Sequence, residues 1–290
     1  MKIRVAEIFY SLQGEGLYQG VPSVFLRTFG CNFRCKNFGL PRGTAVPQGP
    51  NKEVSKVIEN INQYKTVDEM PLVHTGCDSY ISIYPEFKNF SPMLETDEIV
   101  ERIREILPQG RFGTNVHFII TGGEPLLGWQ RAYPELLEKL VKELDLQHIT
   151  FETNGTQALR QELIDFFEEP SSLGTNLWAT FSVSSKLTNS GEKWAEAIKP
   201  GVIASYTGIT YHDIYFKWVC SNPEDFEDVQ RAVQEYNAAG INCPVYLMPA
   251  GGSEKLYYKN RQWLSKICLA HGFRYSPRLQ IDLYGNGWGT

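Results

Sequence analysis

The sequence predicts an α/β fold built on a parallel sheet, either open or curled into a partial barrel. Strand-like and helix-like segments alternate about six times along the chain, and the connections between them are short. In addition, polar motifs follow directly after several strand-like segments, where βα folds place their functional loops. These observations predict one rim of the sheet as the functional face.

Short apolar and aromatic runs typical of buried strands recur along the chain. They are Val5 to Tyr10, Val24 to Phe29, Val116 to Ile120, His148 to Glu152, Leu177 to Val183, Ile214 to Val219 and Pro244 to Met248. The same alternation predicts a last element of this kind at Leu279 to Leu283.

Segments with helical periodicity or capping signals lie between these runs. A helix is expected to begin at Thr96, whose hydroxyl caps it and which precedes two acidic residues, and another between the Asn222 cap and Gly240. The remaining predicted helices are Lys52 to Tyr64, Tyr133 to Leu144, Gln157 to Phe167, Glu192 to Ile198 and about Asn260 to His271.

Length and composition limit the class of protein. A chain of 290 residues can bury one large α/β core, so we expect a single domain, 1–290, with an insertion at about 36–76. The net charge of −5, without a block of lysine or arginine, argues against nucleic acid as a direct partner. Apolar runs are too short to cross a membrane, and six cysteines without a signal peptide favour reduced thiols. We therefore expect a cytoplasmic protein.

Three cysteines form an interrupted motif. Cys31 and Cys35 are separated by three residues, and Phe38 occupies the place where a third thiolate is expected. Another 41 residues lie between Cys35 and Cys77, which begins the motif C-D-S-Y. Spacing alone leaves two interpretations open. The thiols meet and bind iron, or they are small buried residues of unrelated function.

Polar motifs come after three further strand-like segments. T-G-G-E-P follows the strand ending at Ile120, E-T-N-G begins at Glu152, and S-S-K begins at Ser184. Because the carboxyl ends of parallel strands meet at one edge, we expect these motifs to converge with Cys31.

Taken together, the motifs F-Y-S-L-Q-G-E-G, R-T-F-G-C-N-F-R-C, T-G-G-E-P, E-T-N-G and R-L-Q resemble the 7-carboxy-7-deazaguanine synthase family. This family belongs to the radical S-adenosylmethionine enzymes, and the resemblance spans nearly the whole chain in the same order. It implies a partial (βα)6 barrel, a homodimer and a flavodoxin-type electron donor.

The resemblance also implies the ligands of a 4Fe–4S cluster. They would be Cys31, Cys35 and Cys77, with the segment 36–76 inserted inside the family's cluster motif. The fourth iron would bind S-adenosylmethionine. Cofactor-binding residues carried over from the family are Gly122, Gly123, Glu124, Glu152, Thr153, Asn154, Ser184 and Lys186. Ser185 stands where the family commonly has proline.

The family's substrate is 6-carboxy-5,6,7,8-tetrahydropterin, which presents a guanidine-like edge and a carboxylate. We expect Glu15 to accept from the former and Arg27 to pair with the latter. The expected substrate-binding set is Leu12, Gln13, Gly14, Glu15, Arg27, Gly122, Arg278 and Gln280. Ser79 replaces a family threonine whose hydroxyl contacts Mg²⁺, and serine retains that hydroxyl.

The resemblance therefore implies a lyase of 7-deazaguanine (queuosine-type) biosynthesis. Its radical would take hydrogen from C6 of the pterin, and ring contraction with loss of ammonia would give 7-carboxy-7-deazaguanine.

Two alternatives stay open at this point. An activating enzyme for a glycyl-radical protein would share the cluster and cofactor loops, but it would not need the Q-G-E-G motif or Arg27. A non-catalytic interaction protein on the same fold would bind no iron and tolerate loss of Cys77.

Overall fold

The computed structural model describes residues 1–45, 49–168, 177–250 and 254–290, although the side chains of 254–256 are outside that description. Strands alternate with helices along most of the chain. The strands are β1 (Lys2–Leu12), β2 (Pro22–Thr28), β3 (Met93–Glu95), β4 (His117–Gly122), β5 (His148–Thr153), β6 (Trp178–Val183), β7 (His212–Cys220), β8 (Val245–Pro249) and β9 (Arg274–Tyr275). The helices are α1 (Lys52–Glu59), α2 (Thr96–Ile106), α3 (Tyr133–Leu144), α4 (Gln161–Glu168), α5 (Trp194–Ala197), α6 (Pro200–Ser205), α7 (Pro223–Ala238), α8 (Glu254–His271) and α9 (Leu279–Tyr284).

The strands form one sheet in the order β3-β1-β2-β4-β5-β6-β7-β8-β9. Pairing is parallel from β2 through β9, which confirms the predicted α/β fold with a mostly parallel sheet. β1 instead pairs antiparallel with both β2 and β3. Only residues 13–21 connect β1 to β2, and a parallel crossover needs about a dozen residues or more.

Along the central strands, successive side chains face the core and the site alternately. Phe151 and Phe181 are buried in the main hydrophobic core, which packs against the helices. Thr121, Glu152 and Ser182 lie on the opposite face, and all three line a cavity. The site is therefore built from alternate residues near the ends of these strands.

A second, smaller apolar cluster anchors the insertion. It joins α1 and the segment that returns from it to the turns after Cys77. Its buried members are Val54, Val57, Met70, Val73, Tyr80, Ile81, Ile83, Tyr84 and Phe87. Because Cys31 and Cys77 pack at its edge, the insertion lies directly against the cysteines.

Two helix starts can be compared directly with their predicted caps. Asn222 caps α7 as predicted, by accepting from the N–H of Asp225 at 2.8 Å. Thr96 is the first residue of α2 and not its cap, because its hydroxyl bonds to Glu135 on α3.

The bounds of the other helices agree with the predictions in part. α3 has the predicted bounds, whereas α1 ends at Glu59 and not at Tyr64. The helix predicted to begin at Gln157 begins at Gln161, and the one predicted from about Asn260 begins at Glu254. The helix predicted over Glu192 to Ile198 is reduced to Trp194–Ala197.

The predicted terminal strand is wrong. Leu279–Tyr284 is a helix, which buries Ile281 and ends at Gly285 in the left-handed conformation (φ +62°). Across the described ranges, no helix combines the length and apolarity needed to span a membrane.

Candidate functional site

Two adjoining cavities lie at the carboxyl ends of the parallel strands. The first contains Cys31, Cys35 and Cys77, and the second lies between the ends of β1 and β2 and residues 286–290. They share a wall of polar and charged side chains: Glu15, Asp78, Ser79, Thr121, Glu152 and Arg278. A ligand in one cavity therefore lies next to a ligand in the other.

The three cysteines of the interrupted motif line the first cavity together. A small apolar cluster around Phe33 and Cys35 has both Cys31 and Cys77 packed against it. Burial raises the pKa of Cys31 to about 11 and that of Cys77 to about 12, and it raises the pKa of Cys35 as well. These thiols are therefore poor nucleophiles, and thiolates here need a cationic partner.

The three thiols do not meet at one point as the ligands of a single ion would. Among residues 1–45, 49–168, 177–250 and 254–290, no three His, Cys, Asp or Glu side chains converge closely enough to hold one ion. In a cubane cluster each thiolate binds a different iron, so its ligands are more widely spaced. Thiols that share a cavity without converging on one point are compatible with a cluster.

A carboxylate holds the loop that carries the first two cysteines. One oxygen of Glu192 accepts from the backbone N–H groups of Arg34 at 2.8 Å and Cys35 at 2.7 Å. Cys35 has a left-handed backbone (φ +48°), which is uncommon for a residue other than glycine. Glu192 therefore stabilises a strained turn at a cysteine that lines the cavity.

The two glycines after β4 allow close packing against the Cys31 loop. A Cβ atom on Gly122 would lie 2.1 Å from the carbonyl oxygen of Thr28, and one on Gly123 would lie 2.2 Å from that of Gly30. Gly122 also has φ +123°, which favours glycine. Both glycines line the first cavity, so a ligand there meets backbone.

The side chain of Glu124 is fully buried and lines neither cavity. Its carboxylate accepts from the backbone N–H of Asn154 at 2.6 Å, the hydroxyl of Thr153 at 2.8 Å and the N–H of Leu126 at 3.0 Å. Burial raises its pKa, while these hydrogen bonds lower it. The carboxylate thus fixes the loop after β4 to the loop after β5.

Asn154 and Glu152, at the end of β5 and the start of the loop after it, contact different parts of the site. Asn154 donates to Asn32 at 2.9 Å, beside Cys31. Glu152 lies on the wall between the cavities and accepts from Thr121 at 2.9 Å and Lys217 at 3.1 Å.

The S-S-K motif after β6 brings a cation to the thiols. Lys186 lines the first cavity, and its charge lowers the pKa of all three cysteines against the larger effect of burial. Ser184 and Ser185 line the same cavity, and the hydroxyls of Ser185 and Tyr236 are hydrogen-bonded at 2.7 Å.

Glu15 is the centre of a buried charge network. Its carboxylate accepts from Lys217 at 2.8 Å, Arg278 at 2.9 Å and Gln280 at 2.7 Å. Burial raises the pKa of Glu15, but the neighbouring Lys217 and Arg278 charges outweigh it and hold that pKa well below its usual range. A Cβ atom on Gly14 would lie 1.9 Å from the Gln280 amide oxygen, so a larger residue there would displace the Gln280 side chain.

Arg27 lies on β2 at the second cavity. Its guanidinium donates to Glu7 at 2.7 Å and to the hydroxyl of Ser79 at 2.9 Å. Leu12 and Gln13 line the same cavity. The predicted substrate residues therefore surround one polar space, apart from Gly122, which lines the first cavity.

Proteins named 7-carboxy-7-deazaguanine synthase match almost the entire chain. The one from Pyrobaculum aerophilum is 29% identical over 99% of this chain and 97% of its own length. The one from Halobacterium salinarum is 27% identical over 97% of this chain and 90% of its own length. These matches confirm the resemblance of the chain to the 7-carboxy-7-deazaguanine synthase family. In a separate comparison, no family model matches it.

A solved structure supports the same fold. The crystal structure of QueE from Escherichia coli covers 96% of this chain, and 94% of that protein is covered in turn, with a TM-score of 0.51 and 21% identity. The likeness therefore concerns nearly the whole chain and not one part of the sheet.

Four charged residues at the site were not predicted from the sequence: Glu7, Asp78, Glu192 and Lys217. Asp78 accepts from Arg278 at 2.9 Å, and Lys217 is 5% exposed between two carboxylates. A signal for Lys217 exists, since it is the one cation within the apolar run I-Y-F-K-W-V-C of β7. Glu192 carries no comparable signal.

The other three cysteines lie away from both cavities. Cys220 and Cys268 are buried in the main core, and Cys243 packs against it. The expectation that they are core residues is confirmed.

Proposed function

We propose that the chain is a radical S-adenosylmethionine lyase that converts 6-carboxy-5,6,7,8-tetrahydropterin to 7-carboxy-7-deazaguanine with loss of ammonia. The observation that carries this proposal is the adjacency of two cavities, one lined by three cysteines and one by Arg27 and the Glu15 network. Two relatives named 7-carboxy-7-deazaguanine synthase, which match the chain over nearly their full length, support the same activity.

Cys31, Cys35 and Cys77 would hold a 4Fe–4S cluster. The fit rests on their shared cavity and on Lys186, whose charge favours thiolates there. When bound, the cluster with S-adenosylmethionine supplies one-electron cleavage and hence radical abstraction of hydrogen. The apolar cluster around Phe33 would keep water from this region.

The cofactor's polar groups would meet the loops after β4, β5 and β6. Glu124 would act through its hydrogen bonds to Thr153 and Asn154, which hold two of these loops in register. Backbone atoms and side chains along the first cavity would make the direct contacts: Gly122, Gly123, Glu152, Thr153, Asn154, Ser184 and Lys186.

Arg27 would pair with the substrate carboxylate, since a guanidinium matches that group in bidentate geometry. Glu15, already bound by Lys217, Arg278 and Gln280, would act mainly by fixing these donors at the edge of the cavity. A pterin ring has several hydrogen-bonding edges, and a preorganised polar wall reduces the reorganisation needed to bind it.

Ser79 would contribute to a Mg²⁺ site only once substrate is present. Its oxygen now accepts from Arg27, and a fixed guanidinium repels a second cation. A substrate carboxylate that engages Arg27 would release the Ser79 lone pair for a metal that also binds substrate oxygens.

The partners of the chain are proposed from the family alone. We propose a homodimer and a flavodoxin-type reductant, with cytoplasmic location and no direct role for nucleic acid or membrane.

The alternative of a glycyl-radical activating enzyme is less well supported. Residues 286–290 line the second cavity together with Arg27 and Gln280, and this polar lining favours a polar small molecule over a protein segment.

The test is anaerobic reconstitution of the wild type and Cys77→Ala. Iron and sulfide are quantified, and electron paramagnetic resonance is recorded after reduction with and without S-adenosylmethionine. A near-stoichiometric 4Fe–4S signal that shifts with cofactor, is lost in Cys77→Ala and accompanies product formation from the pterin supports the proposal. An iron-free wild type overturns it and favours the interaction protein.

A further inference from the structure

The segment that leads into Cys77 is held by the first turn of α1, inside the insertion. The carboxylate of Glu53 accepts from the backbone N–H of His74 and from the hydroxyl of Thr75, both at 2.7 Å. The side-chain amide of Asn51 donates to the carbonyl oxygen of Thr75 at 2.5 Å. Two consecutive residues just before Cys77 are thus bonded by the start of α1.

Asn51 makes two kinds of contact at once. Its amide oxygen accepts from the N–H of Val54 at 3.0 Å and so caps α1, which leaves the amide nitrogen facing Thr75. The side chain is 3% exposed, so neither hydrogen bond is easily replaced by water. Gly76 lies so close that a Cβ atom there would be 2.2 Å from the Asn51 nitrogen.

α1 itself is fixed in place. Val54 and Val57 are buried in the second apolar cluster, which Cys31 and Cys77 also contact. The first turn of α1 is therefore a rigid support beside the cysteines, and not a surface helix that moves independently.

We propose that Asn51 and Glu53 are positioning residues that deliver Cys77 to the cluster, an inference that rests on the proposed function. In an uninterrupted motif the third cysteine is placed by the turn it shares with the second. Here 41 residues lie between Cys35 and Cys77, and ordering so long a loop costs conformational entropy that the contacts of α1 offset.

The decisive variant is Asn51→Asp. Aspartate caps a helix as well as asparagine does, so α1 is retained, but the donor to Thr75 is lost and a carboxylate faces a carbonyl oxygen. Glu53→Gln weakens the second support. Glu59→Gln, at the exposed far end of α1, is the matched control.

Each reconstituted variant is measured for iron content, for its spectrum, and for the rate at which a chelator removes iron. Loss of an outer partner typically weakens a metal site by roughly tenfold or more, so we expect Asn51→Asp to lose iron about tenfold faster than Glu59→Gln. Iron retention at the control rate in Asn51→Asp, with α1 intact by circular dichroism, overturns the proposal.

A second readout does not need the cluster. The rate at which iodoacetamide alkylates Cys77 in the iron-free protein is followed by peptide mass spectrometry. We expect a severalfold higher rate in Asn51→Asp than in Glu59→Gln, because the released segment exposes a thiol that is now half-buried. Equal rates overturn the positioning role, whereas an iron-free wild type with unequal rates overturns only the proposed function.

Discussion

The backbone N–H of Gly76 donates to the carbonyl oxygen of Phe38 at 2.7 Å, which joins the two ends of the insertion. Phe38 stands where an uninterrupted motif would have its third cysteine. Because the chain leaves at Phe38 and returns beside it, Cys77 enters the site close to that place. The two ends of the 36–76 segment therefore meet directly before Cys77.

The contact between the β4 glycines and the Cys31 loop predicts a severe effect of Gly123→Ala. The new methyl group would lie 2.2 Å from the Gly30 oxygen and 2.9 Å from the Cys31 Cβ atom, so the loop has to move. We expect a loss of about 2 kcal/mol in the free energy of unfolding, measured in urea, and lower iron content after reconstitution. Gly128→Ala, which has no atom within 4 Å of the added Cβ, is the control and should match wild type.

Arg27→Lys should impair substrate use more than folding. Lysine keeps the charge but loses the planar fork that bonds Glu7 and Ser79 and is proposed to bind the substrate carboxylate. We expect kcat/KM for the pterin to fall roughly 10- to 100-fold, with an unchanged iron content. Arg102→Lys, in an exposed pair with Glu98, serves as the control; equal activity of the two variants would contradict the substrate role.

The charge network around Glu15 predicts a particular pH dependence of stability. The depressed pKa of Glu15 contributes stability that is fully present above about pH 4.5, its ordinary value, and is lost as pH falls through the folded-state pKa. Glu15→Gln leaves Lys217 and Arg278 undercompensated, so we expect roughly 3 kcal/mol of destabilisation at pH 7. In urea unfolding from pH 7 to 3, the gap between the two proteins should narrow progressively below about pH 4.5; a constant gap would falsify the assignment.

The carboxylate of Glu192 should affect the proposed cluster in two separable ways. Glu192→Ala removes both hydrogen bonds to the Cys35 turn, and we expect roughly tenfold faster iron loss to a chelator. Glu192→Gln keeps an accepting oxygen but removes a negative charge, so the reduction potential should rise. A redox titration, monitored by electron paramagnetic resonance, distinguishes the change in potential from the faster loss of iron. Glu196→Gln on the exposed face of α5 is the control, and a potential that shifts equally in both variants would contradict a specific effect of Glu192.

Local signals explain which elements could be predicted from the sequence. Leucines four residues apart predict α3, and Asn222 with Pro223 specifies the start of α7. Leu279–Tyr284 is harder to predict, since a run of six residues with one buried side chain fits both the helical and the strand periodicity. The antiparallel pairing of β1 with β2 follows from the short loop that joins them. The pattern of apolar residues within the strands does not take loop length into account.

The alternating fold, the resemblance to the family and the motifs that meet at one rim could all be predicted from the sequence, because they depend on order along the chain and on local chemistry. The pairing of the charged residues could not be predicted from the sequence. Lys217 lies between Glu15 and Glu152, and Glu192 lies beneath Cys35, only in the folded chain. These partners are separated by 65 to 202 residues, and no local spacing encodes a contact that forms only when distant strands and loops pack together.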